Sequence, residues 1–203
     1  MKILAFVDTH GNEKYLQHII ELSHHADALI CAGDFTIFEN NMEHVLQKLN
    51  SIGKPIIIFH GNHETSSGVL SLSSNMHNIH FIHNAYYIVN DVIFFGYGGG
   101  GFGTIDPKFE IVSESFMKNL KELEKKNNMS YKIILVTHAP PYNTTLDDLG
   151  YPVGSKSIRK FIEESQPLVV VCGHIHECAE KQDYIKNTLI INPGPKGKIV
   201  EVW

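Results

Sequence analysis

Short apolar runs that stop at polar, glycine-containing loops recur along the chain, and their spacing predicts the architecture. Ile3-Leu4-Ala5-Phe6-Val7 has the length of a buried strand and ends at Asp8-Thr9-His10-Gly11-Asn12, after which Leu16, Ile19, Ile20 and Leu22 share a helical face. The same unit follows twice more in kind. Ala28 to Ala32 ends at Gly33-Asp34; Met42, Val45, Leu46 and Leu49 mark an amphipathic helix; Pro55 to Phe59 ends at His60-Gly61-Asn62-His63-Glu64. Strands alternating with helices predict a parallel sheet joined by right-handed crossovers.

From residue 79 the rhythm changes. Phe81-Ile82, Ala85 to Val89 and Val92 to Phe95 are separated by turn residues alone, which predicts an antiparallel section. A glycine cluster, Gly98 to Gly101 with Gly103, precedes a polar amphipathic helix over about 113–127. Tyr131 to Val136 reads as a buried strand ending at Thr137-His138, and a loop from Ala139 to Gly154 leads into a helix near 156–165. Leu168 to Cys172 is a further strand, ending at Gly173-His174-Ile175-His176, and runs at 184–191 and 198–202 close the chain. No repeat or boundary interrupts this order. The expectation is one α/β domain over 1–203, with two mixed sheets packed face to face and helices on both outer sides.

Composition narrows the function. A chain of 203 residues with 43% hydrophobic content buries one sizeable core. The net charge is -5, and no basic run exceeds Lys125-Lys126 or Arg159-Lys160, so the footprint of a long nucleic acid is missing. No apolar stretch approaches the ~18 residues of a membrane span, and the first apolar run is too short for a signal-peptide core, so cytoplasm is the expected address. Cys31, Cys172 and Cys178 are odd in number and lack C-x-x-C spacing, and they read as reduced core residues. Thirteen histidines are a surplus of the commonest metal ligand. His18, His24, His25, His44, His77, His80 and His83 fall on predicted helix surfaces or in polar loops, where solvent is expected to hold them.

The remaining histidines share a location with Asp and Asn, just beyond the C-terminal ends of five buried strands, where α/β sheets build their ligand sites. Asp8 and His10, Asp34, Asn62 and His63, His138, and His174 and His176 come from these five loops. Carboxylate, imidazole and amide oxygen suit borderline divalent ions, and the lack of thiolates argues against a structural zinc. Seven candidate ligands, Asp8, His10, Asp34, Asn62, His138, His174 and His176, exceed the roughly three per ion of an open catalytic site, so two ions are expected. Asp34, alone in its loop, is the natural bridge. His174 and His176, about 6.5 Å apart along an extended segment, suit one histidine on each of two ions roughly 3.5–4 Å apart. Taken singly, Asp8-Thr9-His10-Gly11 is compatible with a helix N-cap loop and Gly33-Asp34 with an ordinary turn; the conjunction of five loops carries the argument.

The series Asp8-x-His10-Gly11-Asn12, Gly33-Asp34, Gly61-Asn62-His63-Glu64, His138 and Gly173-His174-x-His176 resembles the calcineurin-like metallophosphoesterase family over nearly the whole chain. The resemblance implies a four-layer αββα sandwich. It implies Asp8, His10, Asp34 and His176 on one ion, and Asp34, Asn62, His138 and His174 on the other. It places His63 off the metals, against the phosphoryl oxygen or leaving group. No ligand position of the family pattern is missing, which favours an enzyme over the interaction scaffolds that some relatives with lost ligands have become.

One departure bears on the substrate. The protein-phosphatase branch carries arginines in its second and third motifs, whereas Phe35-Thr36-Ile37 follows Asp34 here, His60 precedes Gly61, and Arg159 is the chain's one arginine. Guanidinium groups ordinarily hold a monoester dianion, so a small diester with its single charge is favoured over a phosphomonoester, with nuclease activity a further alternative. The expected reaction is attack by a hydroxide shared between the two ions, with His63 as general acid or hydrogen-bond donor to the leaving group. Manganese, iron, zinc and nickel all fit such a donor set, manganese being favoured. The glycine cluster lacks the Lys-Ser or Lys-Thr of a Walker loop and reads as a flexible rim to the site. Asn143, Thr144, Asp147 and Asp148 are candidates for specificity or simply turn residues. Nothing in the sequence fixes the oligomeric state.

Overall fold

The computed structural model describes residues 1–100 and 103–203. Strands Lys2–Phe6 (β1), Ala28–Cys31 (β2), Ile56–Ile58 (β3) and Ile79–Phe81 (β4) run parallel, and Lys198–Glu201 (β11) joins β1 antiparallel, giving the order β11-β1-β2-β3-β4. Ala85–Val89 (β5), Val92–Tyr97 (β6), Lys132–Thr137 (β7), Val169–Val171 (β8), Gln182–Ile185 (β9) and Thr188–Ile191 (β10) form the second sheet, ordered β5-β6-β7-β8-β10-β9. Helices Glu13–Ser23 (α1), Met42–Asn50 (α2) and Ser66–Ser73 (α3) connect strands of the first sheet, and Pro107–Asn127 (α4) and Lys156–Ser165 (α5) those of the second.

Alternation along each strand builds the four layers. Ile3, Ala5 and Val7 face the second sheet, where Phe94, Ile134, Val136 and Val171 meet them, while Leu4 and Phe6 face Leu16, Ile19 and Leu46 of the covering helices. In the second sheet Phe95, Leu135 and Val170 face outward onto Phe109, Phe116, Phe161 and Ile162 of α4 and α5. Such strands are buried on both faces, which is why they read as unbroken apolar runs. The four-layer α/β sandwich is the expected one.

Three local expectations change. The middle section is not uniformly antiparallel: β5 and β6 form a hairpin, but β4 runs parallel to β3 and β6 parallel to β7. The reason is α3, whose Ser-Ser-Gly-Val-Leu-Ser-Leu-Ser sequence carries little helical propensity and so hides the crossover. Thr65 starts it, its side chain accepting the Gly68 N–H at 3.1 Å. Helix α4 begins at Pro107, ahead of its apolar pattern, because Asp106 caps the Lys108 and Phe109 N–H groups and proline suits the first turn. The run at 184–191 is split by a turn into the hairpin β9–β10.

His80 and His83 also depart from the solvated reading. His80 stacks on Tyr87 with centroids 3.8 Å apart, and His83 accepts the Gly98 N–H at Nδ1, 3.0 Å away, with its ring 4.5 Å from that of His60.

Candidate metal centre

The C-terminal ends of β1, β2 and β3 in one sheet and of β7 and β8 in the other face one region, because the parallel strands of each sheet point their following loops the same way. The chain turns there through left-handed backbone at Asp8 (φ 55), His10 (φ 48), Asp34 (φ 48) and His174 (φ 73). Residues with side chains rarely adopt this conformation, and its concentration at a putting-together of loops marks a functional site. Hydrogen bonds lock the turns to one another: the Asp8 N–H donates to Gly33 O at 3.2 Å, His10 N–H to Asp34 O at 3.0 Å, and Gly173 N–H to His138 O at 2.9 Å. The His174 N–H donates to Asp8 Oδ2 at 3.1 Å, stitching the two sheets together. Gly61 permits the closest approach, since a Cβ there would lie 2.0 Å from Asp34 Oδ1.

All eight expected residues lie in this region, and the donor atoms of the seven that are Asp or His fall into groups spanning no more than 4.8 Å. Asp8, His10 and His176 form one group; Asp34, His138 and His174 form another; His10, Asp34 and His63 form a third. Distance alone therefore does not separate His63 from the ligands. Asn62 joins the second group through Oδ1, which lies 3.1 Å from His138 Nε2 and 2.9 Å from His174 Nδ1. The segment between His174 and His176 is not extended as expected: His174 is left-handed and His176 opens a 3-10 turn, His176–Cys178. The turn still sends the two imidazoles into different groups.

Backbone carbonyls orient two imidazoles. His138, fully buried, keeps Nδ1 2.9 Å from Ala32 O and Nε2 3.2 Å from Asp34 Oδ2. His10 keeps Nδ1 3.2 Å from Thr36 O, leaving Nε2 3.1 Å from His176 Nε2. A carbonyl on one ring nitrogen fixes which nitrogen faces a metal.

The two carboxylates are pushed apart in acidity. Burial raises Asp8 to about 6, with the nearby His138 charge opposing and Asp34 adding. Burial would also raise Asp34, but the hydrogen bond and charge of His138 and the His63 N–H hold it down at about 2. Burial and the His138 charge lower His174 to about 4. Asp8 Oδ1 is buried and has no hydrogen-bond partner among the described residues. An orphaned carboxylate oxygen facing imidazoles and a second carboxylate fits a divalent cation, whose charge would offset the cost of burying both acids.

His63 lies edge-on to His10, centroids 4.8 Å apart, with Nε2 4.0 Å from Asp34 Oδ2. Its neighbour Glu64, quoted in the motif but given no role above, is buried and grips both loops. Oε1 accepts from the Thr36 N–H (2.8 Å) and hydroxyl (2.7 Å), and Oε2 from the Asp34 (3.1 Å) and Gly61 (3.0 Å) N–H groups. The available signal was an acid placed directly after the ligand-bearing Gly61-Asn62-His63.

Other candidates fall into place. Asp147 is fully buried and accepts the N–H groups of Asn143, Thr144 and Gly154, so it braces its own loop. Arg159 binds Glu163 and the carbonyls of Tyr142 and Asn143. Gly99 donates to His60 O at 2.8 Å, which sets the start of the glycine segment beside the Asn62 loop; Gly101 lies outside the described residues. Among the described residues no helix is long and apolar enough to cross a membrane.

The family model described as calcineurin-like phosphoesterase matches residues 1–178. An uncharacterized protein of Methanocaldococcus jannaschii is 35% identical over 98% of this chain and 91% of its own length. Among solved structures, TT1561 of Thermus thermophilus superposes with a TM-score of 0.74 at 18% identity, covering 96% of this chain and 90% of that one. A dimetal phosphatase from Danio rerio gives 0.68 at 10% identity, covering 94% and 86%. A structure described as a novel archaeal phosphodiesterase gives 0.55 at 18% identity, covering 96% and 84%. At these identities the structures speak for the fold alone.

Proposed function

Since this chain belongs to the calcineurin-like phosphoesterase family, we propose that it is a two-metal phosphodiesterase of small phosphate esters, built as one domain over 1–203. The observation that carries the reading is the pair of ligand groups, Asp8/His10/His176 and Asp34/His138/His174, with Asp34 also grouped with His10. In this reading Asp8, His10, Asp34 and His176 hold one cation and Asp34, Asn62, His138 and His174 the other, with manganese favoured. Bound cations would supply Lewis acidity toward the phosphoryl oxygens and an activated water.

The chain's own residues do the rest. Asp34 links the two groups, held by the His63 N–H on Oδ1 and by His138 on Oδ2. Glu64 fixes the Asp34 and Gly61 backbones, so the carboxylate keeps its place through turnover. His63 delivers a proton or hydrogen bond from its imidazole to the leaving oxygen, which as an alkoxide departs poorly unprotonated. Arg159 is engaged elsewhere and His60 occupies the position before Gly61, so no guanidinium grips a phosphate dianion, which favours a singly charged diester.

The test is stripped protein reloaded with manganese, iron, zinc or nickel and assayed on bis(4-nitrophenyl) phosphate and 4-nitrophenyl phosphate. Two ions bound per chain and a higher kcat/KM on the diester are expected. A monoester preference would overturn the substrate argument, and metal binding without turnover on either ester would favour a scaffold.

A further inference from the structure

The loop between β2 and α2 carries Asp34 and, four residues on, an aromatic ring pushed into solvent. Phe38 is 77% exposed and its neighbour Ile37 49%. Phe38, Glu39 and Asn41 are all left-handed, at φ 48, 62 and 54. An aromatic residue in that backbone conformation, with its apolar face in water, is disfavoured twice over, and such strain persists where function requires it.

The turn is held firmly. Asn40 N–H donates to Ile37 O at 3.0 Å and Met42 N–H to Glu39 O at 3.2 Å. Glu39 Oε1 accepts the Thr65 N–H at 2.8 Å and its hydroxyl at 2.5 Å, and Thr65 is the residue after Glu64. Phe38 is thereby clamped to the loop bearing Asn62 and His63. Its ring centroid lies 4.6 Å from that of His63, tilted by 40°, and His63, at 22% side-chain exposure, is the more buried of the two.

We propose that Phe38 is a specificity-determining platform that stacks a planar aromatic ring, a nucleobase or a phenol, carried by the ester at the metal centre. The proposal rests on the phosphoesterase reading above. Its physical basis is that a rigid aromatic face beside a polar centre recognises a flat ring joined to a phosphate, and stacking tolerates any flat ring because each presents a π-face. The net charge of -5 and the lack of a long basic run point to a small ligand and away from a polynucleotide.

Calorimetric titration of the manganese-loaded protein with the methyl diesters of adenosine 5′-phosphate, phenyl phosphate and glycerol phosphate, each singly charged at phosphorus like the favoured substrate, tests it by a binding readout. The wild type should bind at least one ring-bearing ester about ten-fold more tightly than the glycerol ester, within the range that stacking supplies. F38A should erase that difference and leave the glycerol ester within about two-fold, whereas F38W should retain it; a nucleotide bound above the phenyl ester identifies the nucleobase as the ring. Equal affinity for all three esters in the wild type, no binding of any, or an equal loss of all three in F38A would overturn the platform. A ring preference that survives in a protein without metal-dependent ester turnover would overturn the phosphoesterase reading and leave the platform standing.

Discussion

Of Asp34, His138 and His174, the first two are buried, whereas of Asp8, His10 and His176 only Asp8 is. The difference extends to what holds each group. His138 is fixed at both ring nitrogens and Asp34 by His63, His138 and the Glu64-braced backbone, while His176 is exposed and meets His10 through two imidazole nitrogens 3.1 Å apart. A group whose side chains are already ordered loses less freedom when a cation arrives. The same residue types, a carboxylate and two imidazoles, thus make one firm and one adjustable half of a single centre.

Metal titration should therefore show two unequal sites. His138→Ala should abolish the tighter one and reduce turnover to the metal-free background, whereas His176→Ala should weaken the other and spare the tighter; identical titrations for the two variants would break the comparison. His63→Ala should keep both ions and lose about 10²–10⁴ in rate on an unactivated diester. Loss of an ion in that variant would make His63 a ligand and move it into the adjustable half. Glu64→Gln presents an amide N–H₂ to backbone donors that now meet a carboxylate, and should cost on the order of 10–100-fold in affinity at the firm site. Unchanged affinity there would show that the Asp34 loop holds itself.

The smallest effect is on the metal-free fold. His60 and His174 titrate at about 4 in the folded protein, both lowered chiefly by burial, against 6.5 in an unfolded chain. The unfolded chain therefore takes up protons between pH 6.5 and 4 that the folded chain refuses, and stability falls as pH drops through that window. His10, His80 and His83 are lowered as well and act in the same direction. Asp8, raised by burial from 3.8 to about 6, does the opposite, taking up its proton in the fold first, and Glu64 and His138, both raised, side with it. His60 and His174, each lowered from 6.5 to about 4, together outweigh Asp8, raised from 3.8 to about 6, so the urea midpoint of stripped protein should decline from pH 7 to pH 4.5. A midpoint that rises instead would show the carboxylates dominating.

The strands were legible because burial on both faces writes itself into unbroken runs such as Ile3 to Val7 and Ile133 to Val136, and each run ended at a polar loop that names its own chemistry. Helix α3 was not, since serines and a glycine leave Val69 and Leu72 as a faint apolar face and tertiary packing supplies what propensity lacks. Asp147 read equally as a specificity or a turn residue, and only the loop closing over it shows a buried acid satisfied by backbone N–H groups.

Residue type and local period are properties of a few neighbouring positions, so the sequence by itself determined the strand-ending loops, the donor chemistry and the scarcity of arginine. Which atoms meet was decided by two sheets packing face to face, as when the His174 N–H reaches an Asp8 oxygen 166 positions away. The division of the ligands into a firm and an adjustable group, the brace at Glu64 and the outward ring of Phe38 all depend on that packing. Contacts between distant loops are fixed by tertiary register, which no local pattern encodes.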